Sequence, residues 1–301
     1  MSVKSHSINP ALSTAEGYSK VRKGGINVQP NEEGLKKILD FIHEYKGLDL
    51  NSYRQNFLYR RLRLRLFTTK AKDYLEYIAL LKNDAEEYNN FLAALSINVT
   101  EFFRDPDVFE TVSQDVLPAL IARKEAQGNP SLRIWSSACA SGEEAYSIAI
   151  LVKEGLKEKS NFLVRIWASD IDSAALERAK KGEYQAKELK NIDSEIIKKY
   201  FIPLNNNCYR LTDEIKQMVK FQHHNLFGDF PYRFLDIIFC RNVLIYLDRR
   251  QTKDLFNTFS RLLNSSGYLI LGKVEMLWER NLFAPVNLKT KIYQKVEKGE
   301  V

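Results

Sequence analysis

The sequence predicts an α/β protein in which a small N-terminal helical domain precedes a doubly wound, mostly parallel β-sheet. Apolar residues recur three or four positions apart through residues 31–95, as in amphipathic helices. From residue 131 onwards, strand-like and helical runs alternate, which is typical of a parallel sheet with crossover helices. A chain of 301 residues with 45% hydrophobic composition is long enough to bury one large and one small core.

Composition and chain breaks divide the sequence into four segments. Residues 1–30 mix serine, asparagine, glycine and lysine without an apolar period, so we expect a disordered tail. Residues 31–95 are the helical domain. Residues 96–130 are interpreted as a linker, because they contain two prolines and a Gly-Asn-Pro break at 128–130. Residues 131–301 are the second domain.

Strand-like and helical runs give the second domain its order. The strand-like runs are LRIWSSA, LVRIWASD, VKFQHHN, LDIIFCRN and GYLILGKVE, and the helical runs are EEAYSIAILVKEGLK, SAALERAKKG and RQTKDLFNTFSRLLN. At the C-terminus FAPVNLKT and KIYQKVE follow each other without a helix, which predicts an antiparallel hairpin at one sheet edge. The stretch at about 184–218 is too long for a simple loop and predicts an inserted subdomain.

Composition narrows the functional classes. No run approaches the roughly 18 apolar residues of a transmembrane helix, and the N-terminus lacks a secretory core, so we expect a soluble, cytoplasmic protein. Cys139, Cys208 and Cys240 are an odd number at unrelated spacings, which favours reduced thiols. The four histidines show no ligand spacing, so no metal site is predicted. The net charge of +7 favours anionic partners where it clusters.

The first strand of the second domain runs into seven small residues, 136–142, and then into a helix that opens with Glu143 and Glu144. Small side chains let a ligand approach the backbone closely. A phosphate site would avoid acids at a helix N-terminus, whereas a cationic ligand such as S-adenosylmethionine suits them. The two glutamates are equally explained as favourable first-turn acids, and the loop alone leaves both interpretations open.

Acidic and amide residues follow the next strands. Asp170 lies about 28 residues after Gly142, near the offset at which a carboxylate meets ribose hydroxyls in such sheets. We expect Asp172 to be the N-cap of the following helix instead. Asn225 and Asn242 follow the third and fourth strands, where they are candidates for binding adenine or the methionine carboxylate, or are turn residues. The neighbouring histidines, 223 and 224, are more typical of surface groups.

These residues resemble the chemotaxis receptor glutamate methyltransferases, the CheR family. The resemblance covers about residues 31–296 and rests on NVTEFFRD (98–105), SSACASGEEAYSIAI (136–150), ASDID (168–172), HHNLF (223–227) and FCRNVLIYLD (239–248). It implies a sheet of the class I S-adenosylmethionine-dependent methyltransferase type. By motif, it implies a set of cofactor contacts comprising Asn98, Thr100, Arg104, Glu144, Asp170, Asn225, Leu226, Asn242 and Val243.

The resemblance also implies the reaction and the role of the insertion. A glutamate carboxylate would attack the sulfonium methyl, giving a γ-methyl ester and S-adenosylhomocysteine. The insertion at about 184–218 would be the family's small β-subdomain, which in some members grips a receptor tether peptide through a glycine-bearing loop. Here the corresponding FIPLNNNCYRL has no glycine, so we expect independence from a tether.

A carboxylate with a pKa near 4.3 is ionised at pH 7, so the reaction needs positioning rather than a general base. Arg104 is the candidate for orienting the carboxylate, and its alternative role is a structural salt bridge to Asp105 or Asp107. Tyr246 is a second candidate catalytic residue, at the wall of the site.

Positive charge clusters between residues 50 and 72, where seven basic residues and no acid occur. Arg54, Arg61 and Arg65 share one helical stripe at about 100° per residue. A solvated face is the ordinary meaning of such a run. In this family the helix meets acidic cytoplasmic helices of the receptors, which favours substrate docking through Arg54, Arg61 and Arg65. We also expect the enzyme to be a monomer.

Two other functions remain possible. A nucleic-acid methyltransferase would be basic too, but no aromatic-basic interleaving or Asn-Pro-Pro-Tyr run is present. The second alternative is an inactive regulator that binds the cofactor and partner proteins.

Overall fold

The computed structural model describes residues 32–95, 100–157, 159 and 161–297. The predicted tail at 1–30 and the predicted cofactor contact Asn98 lie outside these residues. The chain divides between Leu95 and Ser96 into two compact units. Across the described residues, none of the helices combines the length and apolar content needed to cross a membrane.

The first unit is helical, as predicted. Its described helices are α1 (Glu32–Lys46), α2 (Gln55–Thr69), α3 (Tyr74–Asn83) and α4 (Ala85–Leu95). Their apolar stripes form a core in which Ile38, Tyr77 and Phe91 are completely buried. The Asp73 side chain accepts a hydrogen bond from Glu76 N at 2.9 Å and so fixes the start of α3.

The second unit is built on a seven-stranded sheet of order β6-β2-β1-β7-β8-β10-β9. Its strands are β1 (Ser131–Ser137), β2 (Leu163–Asp170), β6 (Val219–His223), β7 (Leu235–Cys240), β8 (Leu263–Leu271), β9 (Phe283–Asn287) and β10 (Ile292–Lys295). Strands β6, β2, β1, β7 and β8 pair in parallel, and β10 pairs antiparallel with β8 and β9. The doubly wound fold and the terminal hairpin are confirmed.

Helices cover both faces of this sheet, and its central strands are therefore buried along most of their length. All six residues of β7 are buried, as expected for a parallel strand between two helical layers. The helices of the second unit are α5 (Pro106–Thr111), α6 (Leu117–Ala126), α7 (Glu143–Leu156), α8 (Ser173–Lys181), α9 (Ser194–Tyr200), α10 (Asp213–Gln217) and α11 (Arg249–Leu262).

The stretch interpreted as a linker is largely helical. Helices α5 and α6 continue into each other through a π-helical turn, Val112–Val116. Val108, Val112, Val116 and Leu120 recur every four residues and are buried. Pro106 begins α5, where a first-turn residue needs no amide donor, and Pro118 directly follows the π-helical turn and Leu117.

The insertion forms a small antiparallel sheet of order β3-β5-β4, which agrees with a β-subdomain. Its strands are β3 (Glu183–Gln185), β4 (Phe201–Pro203) and β5 (Cys208–Leu211). Tyr184 and Phe201 are buried beneath it. In the β4–β5 turn, Asn206 and Asn207 have φ of 59° and 56°, so asparagines take the left-handed conformation that glycine would otherwise supply.

Candidate cofactor and substrate site

The carboxyl ends of four parallel strands meet at one edge of the large sheet. Ser137 is in register with Ser169 on β2 and with Cys240 on β7, and Asp170 is in register with His223 on β6. The strand order reverses between β1 and β7. Such a switch point opens a crevice beyond the strand ends, where ligands bind in open α/β sheets.

The loop from β1 to α7 turns tightly at this edge. Ala138, Ala140 and Gly142 have φ of 55°, 47° and 93°. A Cβ on Gly142 would lie 2.8 Å from the Cβ of Ala179 and 3.1 Å from the Phe221 ring. Gly142 is therefore required both by its backbone conformation and by the close approach of α8 and β6.

Asp170 fixes this loop from the end of β2. Its Oδ2 accepts a hydrogen bond from Ala140 N at 2.8 Å, and its Oδ1 accepts one from Asp172 N at 2.9 Å. Burial raises the pKa of Asp170, and these backbone donors oppose the rise. Each carboxylate oxygen keeps further acceptor capacity for ribose hydroxyls. Asp172 caps α8 by accepting from Ala174 N, so its predicted N-cap role is confirmed.

The two glutamates that open α7 have different surroundings. Glu144 accepts a hydrogen bond from Ser136 Oγ at 2.7 Å, and its other oxygen lies 3.2 Å from Arg241 Nη1. Glu143 is only 2% exposed and accepts from Ser141 Oγ at 2.9 and 2.8 Å. Burial raises the pKa of Glu143. The argument that acids select a cationic cofactor therefore rests on Glu144 and not on the pair.

Arg241 joins the loops around the crevice, and the sequence analysis assigned it no role. Its side chain is 1% exposed, and Nη2 lies 2.7 Å from Asp105 Oδ2 and donates to the Arg104 carbonyl at 2.8 Å. One guanidinium thus neutralises one of two carboxylates, Glu144 and Asp105, which leaves a net charge of −1. An arginine directly after the apolar run Ile237–Cys240 was the available signal.

The NVTEFFRD motif is anchored through its phenylalanines. Phe102 is completely buried, with its ring centroid 4.9 Å from that of Tyr184 and 5.6 Å from that of Phe201. Phe103 N donates to Ser147 Oγ of α7 at 2.9 Å. These contacts hold the backbone that carries the half-buried Thr100 and Arg104.

The predicted partners of Arg104 have other partners of their own. Asp105 binds Arg241, and Asp107 binds Lys273 Nζ at 2.8 Å. The amine lowers the pKa of Asp107 through that hydrogen bond.

The segment after β6 forms a turn. Asn225 Oδ1 accepts from Phe227 N at 3.1 Å, which is the turn role that the sequence left open, and Leu226 beside it is half-buried. His224 is half-buried rather than a surface group, with its ring centroid 6.0 Å from that of Trp135. Burial lowers the pKa of His224.

A buried acid, Glu275, holds the loop after β7, and no local sequence pattern indicated this role. Glu275 Oε1 accepts from Leu244 N at 2.8 Å, and Oε2 accepts from Gly272 N at 2.6 Å. Burial raises its pKa. The loop it supports contains Asn242, with φ of 61°, the half-buried Val243 and, in a short 3-10 turn, Tyr246.

Comparison with known families identifies the family and its two domains. The family model described as CheR methyltransferase, SAM binding domain, matches residues 98–292, and the model described as CheR methyltransferase, all-alpha domain, matches residues 33–96. The chain belongs to the CheR methyltransferase family. It is therefore an S-adenosylmethionine-dependent methyltransferase, and the predicted cofactor and enzyme class are confirmed.

Individual relatives of this CheR protein agree. The chemotaxis protein methyltransferase of Klebsiella aerogenes is 33% identical over 80% of this chain and 82% of the relative. Chemotaxis protein methyltransferase 2 of Vibrio cholerae is 32% identical over 79% and 83%, respectively. The chemotaxis protein methyltransferase of Borreliella burgdorferi is 30% identical over 85% and 92%.

The arginine helix of the CheR all-alpha domain is α2, where the structure separates the three predicted docking residues. Arg54 is exposed, and Arg61 is half-buried with its guanidinium 5.3 Å from the Phe57 ring centroid. Arg65 instead donates through Nε to Glu87 Oε1 at 3.0 Å. The sequence run lacked an acid to balance Arg65, and the fold supplies one from α4.

Glu87 completes a buried network with Tyr77, whose hydroxyl donates to Oε1 at 2.7 Å. Burial raises the pKa of Tyr77, and the Glu87 carboxylate adds to the rise. The docking assignment of Arg65 is accordingly corrected to an internal role that ties α2 to α3 and α4. The cationic face available to a partner is smaller than the sequence stripe.

Proposed function

We propose that this CheR-family enzyme transfers the methyl group of S-adenosylmethionine to glutamate side chains of chemotaxis receptors. The products are glutamate γ-methyl esters and S-adenosylhomocysteine. The similar proteins are chemotaxis protein methyltransferases, which supports receptors as substrates. We further propose that the substrate segments are acidic cytoplasmic helices, that the enzyme acts as a monomer and that nucleic acid is not a substrate.

The observation that carries the proposal is that the acids and thiols of the site are paired, hydrogen-bonded to backbone amides or buried. Glu144 is paired with Arg241, while Asp170 and Glu275 accept backbone amides. Burial raises the pKa of the Cys139 and Cys240 thiols well above the usual range. These groups are poorly suited to take a proton from an amine or a hydroxyl. A glutamate carboxylate suits the site because it is already an anion at pH 7.

The crevice fits the proposed cofactor in charge and chemistry. Glu144, Asp105 and Arg241 together carry a net charge of −1, which favours a ligand with ammonium and sulfonium groups. Asp170 is the proposed ribose ligand. Thr100 and Arg104 belong to the same proposed set of cofactor contacts. When bound, the cofactor supplies an electrophilic methyl group. The remaining proposed contacts are Asn98, Asn225, Leu226, Asn242 and Val243.

Catalysis then rests on position. In the proposed step, a carboxylate oxygen forms a bond to the methyl carbon as the carbon–sulfur bond breaks, and no proton moves. Arg104 orients the carboxylate, and Tyr246 walls the site and excludes water. Arg104→Ala is expected to lower kcat for the receptor. If turnover stays unchanged while cofactor remains bound, Arg104 has no positioning role.

One assay tests the function. The protein is incubated with methyl-labelled S-adenosylmethionine and either a soluble receptor fragment or RNA. The labelled methanol that base then releases from methyl esters is measured. Methanol released from the receptor fragment, and lost when its target glutamates are replaced by glutamine, is the expected result. Label in RNA would support a nucleic-acid methyltransferase, and cofactor binding without transfer would support an inactive regulator.

We also propose that methylation does not require a receptor tether peptide. The β4–β5 turn contains asparagines where the members that grip a tether carry glycine, although Asn206 and Asn207 adopt a glycine-like backbone. Equal rates on receptor fragments with and without their C-terminal tail are expected. Tight, specific binding of the tail peptide to the β-subdomain would contradict this.

A further inference from the structure

Three large apolar side chains lie exposed within the five-residue span 274–278, in the segment after β8. Val274, Met276 and Trp278 are 71%, 57% and 45% exposed, and we refer to them as the apolar rim. Scattered exposed apolar residues are ordinary on protein surfaces. A cluster of three beside a candidate active site requires a separate explanation.

The rim is held next to the loops of the proposed catalytic residues. Lys273, directly before it, binds Asp107, three residues after Arg104. Glu275 lies between Val274 and Met276 but points inward, is 2% exposed and accepts from Leu244 N. The inward carboxylate and the outward apolar neighbours therefore belong to one short segment, which is fixed to both sides of the crevice.

Cationic side chains border the apolar rim. The Arg249 guanidinium lies 5.1 Å from the Trp278 ring centroid and restrains the indole. Lys273, directly before Val274, is exposed and pairs with Asp107, whose pKa Lys289 also lowers. Glu279, directly after Trp278, is half-buried, and one of its carboxylate oxygens is buried. Arg249 is thus the cation placed directly against the rim, and Arg280, exposed two residues after Trp278, adds a second positive charge.

We propose that the apolar rim binds the receptor helix on either side of the glutamate that is methylated. This inference rests on the proposed function. An acidic amphipathic helix presents apolar residues every three or four positions beside its carboxylates. Its apolar residues would cover Val274, Met276 and Trp278 while its acids meet the cationic border, which places the target glutamate over the crevice.

Val274→Asp and Met276→Asp, each in the full chain, test the rim. Each is expected to raise the KM for a soluble cytoplasmic receptor fragment roughly tenfold, because apolar burial is lost and an acid now faces acids. The Kd for S-adenosylmethionine is expected to stay within about twofold of wild type, and Met276→Leu, which keeps an apolar side chain, is expected to retain the wild-type receptor KM.

Leu163→Asp is the matched control. Leu163 is 56% exposed at the start of β2, the opposite end of the strand from Asp170. This variant is expected to leave both constants unchanged.

An unchanged receptor KM in both rim variants, with wild type active, would overturn the proposal. An unchanged KM with lost sedimentation on anionic lipid vesicles would assign the rim to a membrane surface and also overturn it. Failure of wild type to release methanol from the fragment would instead reject the proposed function.

Discussion

Arg241 is the residue on which the geometry of the crevice depends most. It is buried and binds Glu144, Asp105 and the Arg104 carbonyl together. Removing one partner of a buried ion pair leaves the others uncompensated, at a cost of about 3 kcal/mol. We expect Arg241→Met to lower the free energy of unfolding in urea by that amount. The Kd for S-adenosylmethionine should rise about tenfold, because Glu144 loses its anchor.

An exposed arginine provides the comparison for this substitution. Arg165 on β2 is exposed, so Arg165→Met is expected to change the free energy of unfolding by less than about 0.5 kcal/mol. Equal losses in the two variants would mean that the guanidinium of Arg241 contributes nothing beyond an ordinary surface charge.

Glu143 and Glu154 on α7 predict opposite responses of stability to pH. Burial raises the pKa of Glu143 above 4.5, so its protonated form is favoured in the folded state. Stability is then lost as pH rises from 4.5 through the folded pKa. Glu143→Gln removes this loss. The free energy of unfolding of the variant relative to wild type should therefore increase between about pH 4 and about pH 7.

Glu154 is the internal control because Lys199, 2.7 Å away, lowers its pKa. Its contribution to stability is present above the unfolded pKa of 4.5 and is lost as pH falls through the folded pKa. For Glu154→Gln, the free energy of unfolding of the variant relative to wild type should decrease as pH rises through this window. Urea titrations from about pH 3 to about pH 7 cover both windows, because the Glu154 change lies below its unfolded pKa of 4.5 and the Glu143 change lies above it. Slopes of the same sign would show that burial of Glu143 does not govern its titration.

Sequence reasoning finds residues whose role depends on their immediate neighbours. Asp172 could be assigned as an N-cap because it directly precedes the helix it caps. The contacts of Arg241 with Glu144 and Asp105 span 97 and 136 residues, and the bond from Leu244 to Glu275 spans 31. Local patterns cannot pair such residues, so both buried charges were missed.

At the scale of elements, the turn from β1 into α7 depends on a single glycine. In Gly142→Ala the new Cβ would meet Ala179 at 2.8 Å, in addition to the strain of a positive φ. We expect a loss of about 2–5 kcal/mol in the free energy of unfolding, from strain and overpacking together. Gly128→Ala isolates the strain, because Gly128 also has a positive φ but nothing within 4 Å of the added Cβ.

Gly128→Ala is expected to cost about 1 kcal/mol, measured by the same urea titration. If the two alanine variants lost equal stability, the close packing of α7 against α8 and β6 would contribute nothing. A larger loss at Gly142 would assign the difference to steric contact.

The sheet could be predicted because its strands are short apolar runs between helical ones, and this pattern is local. Helices α5 and α6 were missed because Pro106 and Pro118 were interpreted as breaks. Proline in a first helical turn is compatible with a helix, and only the buried spacing of Val108 to Leu120 distinguishes the two cases.

At the scale of the molecule, the two compact units contain different proposed parts of the reaction. The second unit holds the crevice, and the first holds the arginine helix α2. Arg54 and Arg61 remain the proposed docking residues, whereas Arg65 is committed to Glu87. Cofactor binding and receptor binding should therefore respond differently to changes in α2.

The net charge of +7 makes ionic strength the test of this separation. Raising salt from about 0.1 M to about 1 M shortens the Debye length from about 10 Å to about 3 Å. We expect the receptor KM to rise roughly tenfold over this range in wild type. The rise should be smaller in Arg54→Glu and Arg61→Glu, whose KM is already high at low salt. Arg165→Glu, the same charge change on β2, should behave as wild type. A parallel rise in the Kd for S-adenosylmethionine would contradict docking through α2, since salt would then act on the enzyme as a whole.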